Sequence, residues 1–246
     1  MKIGILQPGY LPWLGYFEQL SQCDIFVHLD DVQYTKNDWR NRNRIKTKAG
    51  VQWLTVPVSY HFGQNITEVI LNRSMVWSRK HIGTLRTWYG KSPFFNIYFQ
   101  ELEDILSKDW TYLVDLDLEL IRWLMTKLGI CVKTFRSSQL SLASHDRQVR
   151  LIEICKILEC DHFYEGESGR NYIDAGLFQA HGITVEFQEY KHPYYNQQWS
   201  NEQGFISHLS VIDLLFNHGT DSLAILTRKM VTDPPEDVAV RNTNES

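Results

Sequence analysis

The sequence predicts an α/β fold built on a parallel or mostly parallel sheet. Two stretches carry that prediction. The first thirty residues read strand, loop, helix, strand, and a similar alternation returns after residue 130. Between them, residues 75–129 place apolar side chains at three- and four-residue spacing, which marks helices.

Lys2–Leu6 is a short apolar strand stopped by Gln7-Pro8. Gln7–Gly15 holds two prolines and two glycines and is a loop. Tyr16–Gln22 is a short helix and Asp24–Leu29 a second strand. Gln52–Val58 is a further strand, which Pro57 assigns to an edge or a strand end, and Val69–Leu71 is another short one. Helices follow at Met75–Tyr89, Phe94–Ser107 and Trp110–Leu128. In the last, Leu113, Leu116, Leu120, Ile121, Leu124 and Leu128 make one stripe, and Gly129 stands where a C-cap glycine belongs. Val132–Phe135 is a strand, Asp146–Leu158 a helix, Asp161–Tyr164 a strand, Tyr172–His181 a helix and Thr184–Tyr190 a strand. Helices Ser210–Asn217 and Asp221–Met230 close the pattern. The expected architecture is a Rossmann-like core with an inserted or appended helical subdomain at about 75–129. Residues 1–230 form one unit, and 231–246, without a core pattern, form a flexible tail.

Composition narrows the function. A net charge of −4 provides no global field for nucleic acid, so any anion site must be local. The four cysteines form no C-x-x-C pair and no disulfide or zinc spacing, as expected of free thiols in a reducing compartment. The apolar run Ile3–Leu6 is too short for a signal peptide, and no run approaches the roughly 18 residues of a membrane span, so a cytoplasmic protein is expected. Neither G-x-G-x-x-G nor a Walker A loop is present, and no cysteine or serine stands in a recognisable nucleophile context. No metal or dinucleotide motif supports a cofactor.

Four stretches are candidate sites. Gln7, Tyr10, Trp13 and Tyr16 lie where a strand hands over to a helix, the place where α/β folds bind ligands and helix amides favour anions. Asp30-Asp31 ends the second strand. On an extended chain one acid faces a cleft while the other caps the next segment, and a single acidic pair is weak evidence for metal. Arg40, Arg42, Arg44, Lys46 and Lys48 recur at every second position, so an extended chain turns all five to one side and Asn41 and Asn43 to the other. Five like charges repel unless water or an anion compensates, and arginine matches phosphate geometry. Ser168 and Arg170 follow a second small-residue turn at a strand end, either a connector or a phosphate contact. His192 follows the strand ending at Tyr190 and is either a general base or a histidine hydrogen-bonded in a turn.

These residues also carry a resemblance. LQPGYLPWLGYFEQL and DIFVHLDDVQYTKNDWRNRNRIKT resemble the opening of the WbqC-like family, with its Gln-Pro-x-Tyr start, its Asp-Asp-Val-Gln block and its Asn-Arg-Asn block. FYEGESGRNYID, Tyr190-x-His192-Pro193 and LSVIDLLFNHG extend the match in order over nearly the whole chain. Gln33 belongs to the second block. The resemblance implies bacterial surface-polysaccharide biosynthesis and a nucleotide-linked amino sugar as substrate, with N-acyl or aminoacyl transfer from an acyl donor. Arg40, Arg42 and Arg44 would receive phosphates, Tyr10, Trp13 or Trp39 would stack on a base or sugar, and Asp30, Asp31 or His192 would handle a proton. The opening is also distantly similar to the H-x-G-H start of nucleotidyltransferases, with Trp13 and Tyr16 in the places of the two histidines. That likeness implies adenylyl transfer as an alternative. A non-catalytic nucleotide-sugar-binding partner of other glycan-biosynthesis enzymes is a third reading, and the oligomeric state is open.

Overall fold

The structure, a computed structural model, describes residues 1–72 and 76–230 together with the backbone of 240–241. The opening unit is β1 (Lys2–Leu6), α1 (Leu14–Ser21) and β2 (Ile25–His28). An antiparallel hairpin follows, β3 (Arg42–Thr47) with β4 (Gly50–Thr55), and then a small pair, β5 (Val58–Ser59) with β6 (Ile70–Leu71). Three helices come next: α2 (Trp77–Tyr89), α3 (Phe95–Ser107) and α4 (Leu113–Leu128). Alternation resumes with β7 (Lys133–Arg136), α5 (Arg147–Ile157), β8 (His162–Glu165), α6 (Ala175–Ala180) and β9 (Thr184–Phe187). The described chain closes with α7 (Ser200–Gln203), β10 (Phe205–Ile206), α8 (Val211–His218), α9 (Ser222–Leu226) and β11 (Val240–Arg241), which pairs with β10.

The five-stranded central sheet is parallel throughout, in the order β7-β2-β1-β8-β9. The chain winds outward from β1 through β2 to β7, then returns to β8 and winds the other way. This is a Rossmann-like order with its topological switch between β1 and β8. Period-two alternation sends Ile3, Ile5, Ile25 and Val27 to one face, where Leu151 and Ile154 of α5 and Phe178 of α6 cover them. On the other face, Phe26 meets Phe17 and Leu20 of α1 in a core continuous with α2, α3, α4, α8 and α9. The helices expected as a subdomain therefore share their core with the sheet. No helix among the described residues is long and apolar enough to cross a membrane.

Several boundaries move for identifiable reasons. The strand expected over Gln52–Val58 divides, because Val56 donates its amide to the Asn41 carbonyl (2.8 Å) and Pro57 has none to give. The helix expected from Tyr172 begins at Ala175, where the Asp174 carboxylate caps the amides of Gly176 and Leu177. The strand expected to reach Tyr190 stops at Phe187, and the Gln188 side chain turns to the Gly15 carbonyl (2.9 Å). Gly129 ends α4 in the left-handed conformation, φ 72°. Met75 and the expected tail lie outside the described residues, apart from Val240 and Arg241.

The basic row is extended, as its alternation implies, but it is not a solvated face. Arg42 lies over the Trp53 indole (4.4 Å), and Arg44 lies near both Trp39 and Trp53 while donating to the His208 carbonyl (3.1 Å). Lys46 is fully buried, and its ammonium donates to Gln197 Oε1 (2.9 Å) and the Gly204 carbonyl. Burial lowers the Lys46 pKa to about 8, partly offset by Asp213. Asp213 in turn accepts from the hydroxyls of Tyr89 (2.7 Å) and Tyr195 (2.9 Å), so the hairpin is tied to α2 and α8 through one buried polar network.

The hairpin approach also passes over the β1–α1 loop at Gly9, where an added Cβ would stand 2.7 Å from the Trp39 carbonyl oxygen. Gly9→Ala is expected to cost about 1–3 kcal/mol, read as a lower denaturation midpoint. Beneath this crossing, Asp117 of α4 is fully buried, and neither carboxyl oxygen has a hydrogen-bond partner among the described residues. Burial pushes its pKa well above the usual carboxylate range, and the positive charge of Arg40 offsets this only in part. The unfolded chain releases that proton near pH 4 while the folded chain holds it, so this residue lowers stability as pH rises past about 4. Asp117→Asn should therefore gain stability over the parent with rising pH, by at most about 1.4 kcal/mol per pH unit, and melting curves at pH 4 and pH 8 measure the difference.

Candidate functional site

A cavity of about 370 Å³ opens beyond the carboxyl ends of β1 and β8, at the switch in strand order where folds of this class bind ligands. Leu6 and Gln7, leaving β1, and Gly166, Glu167 and Ser168, leaving β8, line it from the sheet. The start of α1 borders it through Pro12, Trp13, Gly15 and Tyr16. That helix has no side-chain N-cap and no acid in its first turn, so its positive end is not neutralised from within.

Among the described residues, one cation lines the cavity. Arg40 donates to the carbonyls of Gln7 (3.1 Å) and Pro8 (3.0 Å) and approaches Asp38 at 3.4 Å, which fixes its guanidinium at the lip of the β1–α1 loop. Asn43 beside it donates to the Leu11 carbonyl (2.7 Å) and accepts from the Arg44 amide (2.8 Å). Trp39, 39% exposed, and Trp13 supply flat indole surfaces.

His208 lines the cavity beside Trp13. Trp13 stacks on its ring at 5.1 Å and 19°, and Nδ1 lies 2.8 Å from Ser207 Oγ. Its backbone is left-handed, φ 58°, and its carbonyl is held by Arg44. Burial, together with the charge of Arg44, lowers its pKa, which favours the neutral ring. Gln19 and Gln188 complete the polar lining, their amides anchored on the carbonyls of Tyr164 (2.9 Å) and Gly15 (2.9 Å).

Of the residues singled out from sequence, Gln7, Trp13, Tyr16, Trp39, Asn43 and Ser168 line this cavity together with Arg40. The others lie elsewhere. Tyr10 is fully buried with its hydroxyl 2.9 Å from His81 Nδ1, so it offers no face for stacking. Gln33 is exposed on a bridge to Asn65, and Asn41 is spent on the Val56 carbonyl (2.7 Å). Arg42 and Arg44 lie behind the indoles described above. Arg170 pairs with Glu189 at 3.0 Å over the Phe187 ring.

Asp30 and Asp31 do not divide between a cleft and a cap. Both bind the corner after β7: Asp30 accepts from Arg136 (2.6 Å) and Ser138, and Asp31 accepts from Ser137 (2.5 Å) and forms an ion pair with Arg150. Burial alone would raise the Asp30 pKa, but the hydrogen bonds from Ser138 and the Arg136 charge outweigh it and hold it low. His192 also lies outside the lining. Its Nδ1 faces the Pro193 carbonyl (2.9 Å), burial lowers its pKa to about 4, and its ring lies 5.2 Å from that of His208.

Sequence reasoning passed over Gln19, Glu167, Gln188, Tyr190 and His208. His208 is not part of any regular element, and its only signal is its position directly before the LSVIDLLFNHG block.

The chain matches the WbqC-like protein family over residues 7–225. It is also similar to the uncharacterized protein Rv1507c of Mycobacterium tuberculosis (strain ATCC 25618 / H37Rv), 36% identical over 225 residues, covering 90% of this chain and 95% of that protein. No solved structure gives a significant match. The chain belongs to the WbqC-like family.

Proposed function

We propose that this WbqC-like protein is a transferase of bacterial surface-polysaccharide biosynthesis, acting in the cytoplasm on a nucleotide-linked amino sugar. The family points to surface polysaccharide, and one observation supports the substrate: the cavity at the β1/β8 switch combines a positive helix end, Arg40, and the indoles of Trp13 and Trp39. A phosphate suits the first two, and a base or pyranose suits the indoles.

In N-acyl transfer, the sugar ammonium gives up one proton to become an amine, and its nitrogen bonds to the acyl carbon. The bond from that carbon to the donor's leaving group breaks, and the second nitrogen proton departs with the expelled group. We assign the first proton to His208 rather than to His192, because His208 lines the cavity and its lowered pKa keeps it neutral as an acceptor.

Mass spectrometry of reactions with nucleotide-linked amino sugars and acyl donors tests the proposal; absence of any modified sugar across a broad panel would count against it. Release of pyrophosphate from ATP would instead support adenylyl transfer, and tight binding without turnover would support a non-catalytic partner of other glycan enzymes. Arg40→Ala should weaken the nucleotide-sugar thermal shift and reduce affinity by about 10- to 100-fold, as for a lost charged hydrogen bond. The acidic limb of the pH–rate profile should fall below pH 6.5, because the His208 pKa is lowered, and His208→Gln should abolish that limb.

A further inference from the structure

Two glutamines of the switch-point cavity are held in one orientation by the bonds of their nitrogens. Gln19 of α1 and Gln188, which follows β9, are both buried and both line the cavity. Gln19 Nε2 donates to the Tyr164 carbonyl (2.9 Å). Gln188 Nε2 donates to the Gly15 carbonyl (2.9 Å) and to the Glu18 carboxylate, which uses both of its hydrogens. Turning either amide over would set oxygen against oxygen, so Oε1 is the atom that each keeps for a ligand. No described residue donates to either Oε1, and neither oxygen is sealed inside the protein.

The two amides flank the point where β8 enters the cavity. Gln19 is bonded to Tyr164, the Gln188 backbone amide donates to the Glu165 carbonyl (2.8 Å), and Gln19 Oε1 lies 3.9 Å from where a Cβ on Gly166 would stand. Glu167, an exposed carboxylate, lines the cavity next in the chain, and the Glu18 carboxylate stands behind Gln188. This end of the cavity therefore offers oxygen acceptors and negative charge. The cation, Arg40, is held instead on the carbonyls of Gln7 and Pro8 after β1.

We propose that Gln19 and Gln188 form the subsite for the sugar's amino group, each Oε1 accepting one N–H. This rests on the nucleotide-linked amino sugar reading above and names the residues that select nitrogen over oxygen. A hydroxyl has a single hydrogen, so it satisfies one amide oxygen and turns its own lone pairs on the other. An amine has two hydrogens and satisfies both. An ammonium has three, and its third N–H is left for His208, the proton acceptor assigned above.

Isothermal titration calorimetry of the full chain with matched nucleotide sugars tests the subsite. Each pair shares its nucleotide, UDP or dTDP, and its hexose, and differs only in carrying an amine or a hydroxyl at the same carbon, C2 or C4. In at least one pair the amine is expected to bind about tenfold or more tightly than the hydroxyl. Gln19→Met and Gln188→Met, which keep the side-chain length and remove the acceptor, should bring that ratio towards one. Arg40→Ala should instead weaken both members of a pair together and leave the ratio intact. Glu167→Gln, at an exposed position, repeats the test should the methionine variants fold poorly, and should lower the ratio about threefold at low salt. Equal binding of amine and hydroxyl in every pair, or a preference that these variants leave intact, overturns the amine subsite while nucleotide-sugar binding stands. Binding of no member of any pair overturns the nucleotide-sugar reading, and the subsite with it.

Discussion

The arrangement depends on one crossing. The chain entering the hairpin passes directly over the β1–α1 loop, close enough that Tyr10 donates its amide to the carbonyls of Trp39 (3.2 Å) and Arg40 (3.1 Å). Only glycine fits at position 9 beneath them. Arg40 and Asn43 then lock the crossing from above by donating to the carbonyls of the loop. Loop amides and carbonyls that would otherwise be orphaned are satisfied in this way, and the crossing forms one wall of the switch-point cavity.

The cations of the hairpin show how burial redistributes a charge pattern. Arg40, Arg42, Arg44 and Lys46 alternate in sequence, yet each meets a different environment. Arg40 reaches the cavity, Arg42 and Arg44 lie against indoles, and Lys46 is enclosed by Gln197 and the Gly204 carbonyl above the Asp213 network. Solvated like charges would repel one another; here carbonyl oxygens, π faces and a buried carboxyl separate their tasks. The same hairpin thus bounds the switch-point cavity, through Trp39 and Asn43.

The fold was legible where a pattern depends on neighbours along the chain. The period-two strands Lys2–Leu6 and Asp24–Leu29, the leucine stripe of α4 and the glycine that caps it all fell close to their expected places. Part of the site was legible for the same reason: Gln7, Trp13 and Tyr16 sit at the strand-to-helix handover, and local sequence alone places that at the ligand-binding edge. Asp30, Tyr10 and His192 were not legible, because a carboxylate, a phenol or an imidazole has the same local signature whether it is free or already bonded. Only the corner after β7, the ring of His81 and the Pro193 carbonyl distinguish these cases.

By itself, then, the sequence determined the class of fold, through periodicities and turn residues that act over a few positions, and the family, through motif blocks spread in order along the chain. It also marked the strand-to-helix handover as a candidate ligand edge. The tertiary structure alone decided which charges are available. Burial and long-range hydrogen bonds are set by residues more than a hundred positions apart, as with Arg44 and His208 or Asp30 and Ser138. No pattern along the chain reports such pairings. They moved the candidate base from His192 to His208 and left Arg40 as the arginine of the row that reaches the cavity.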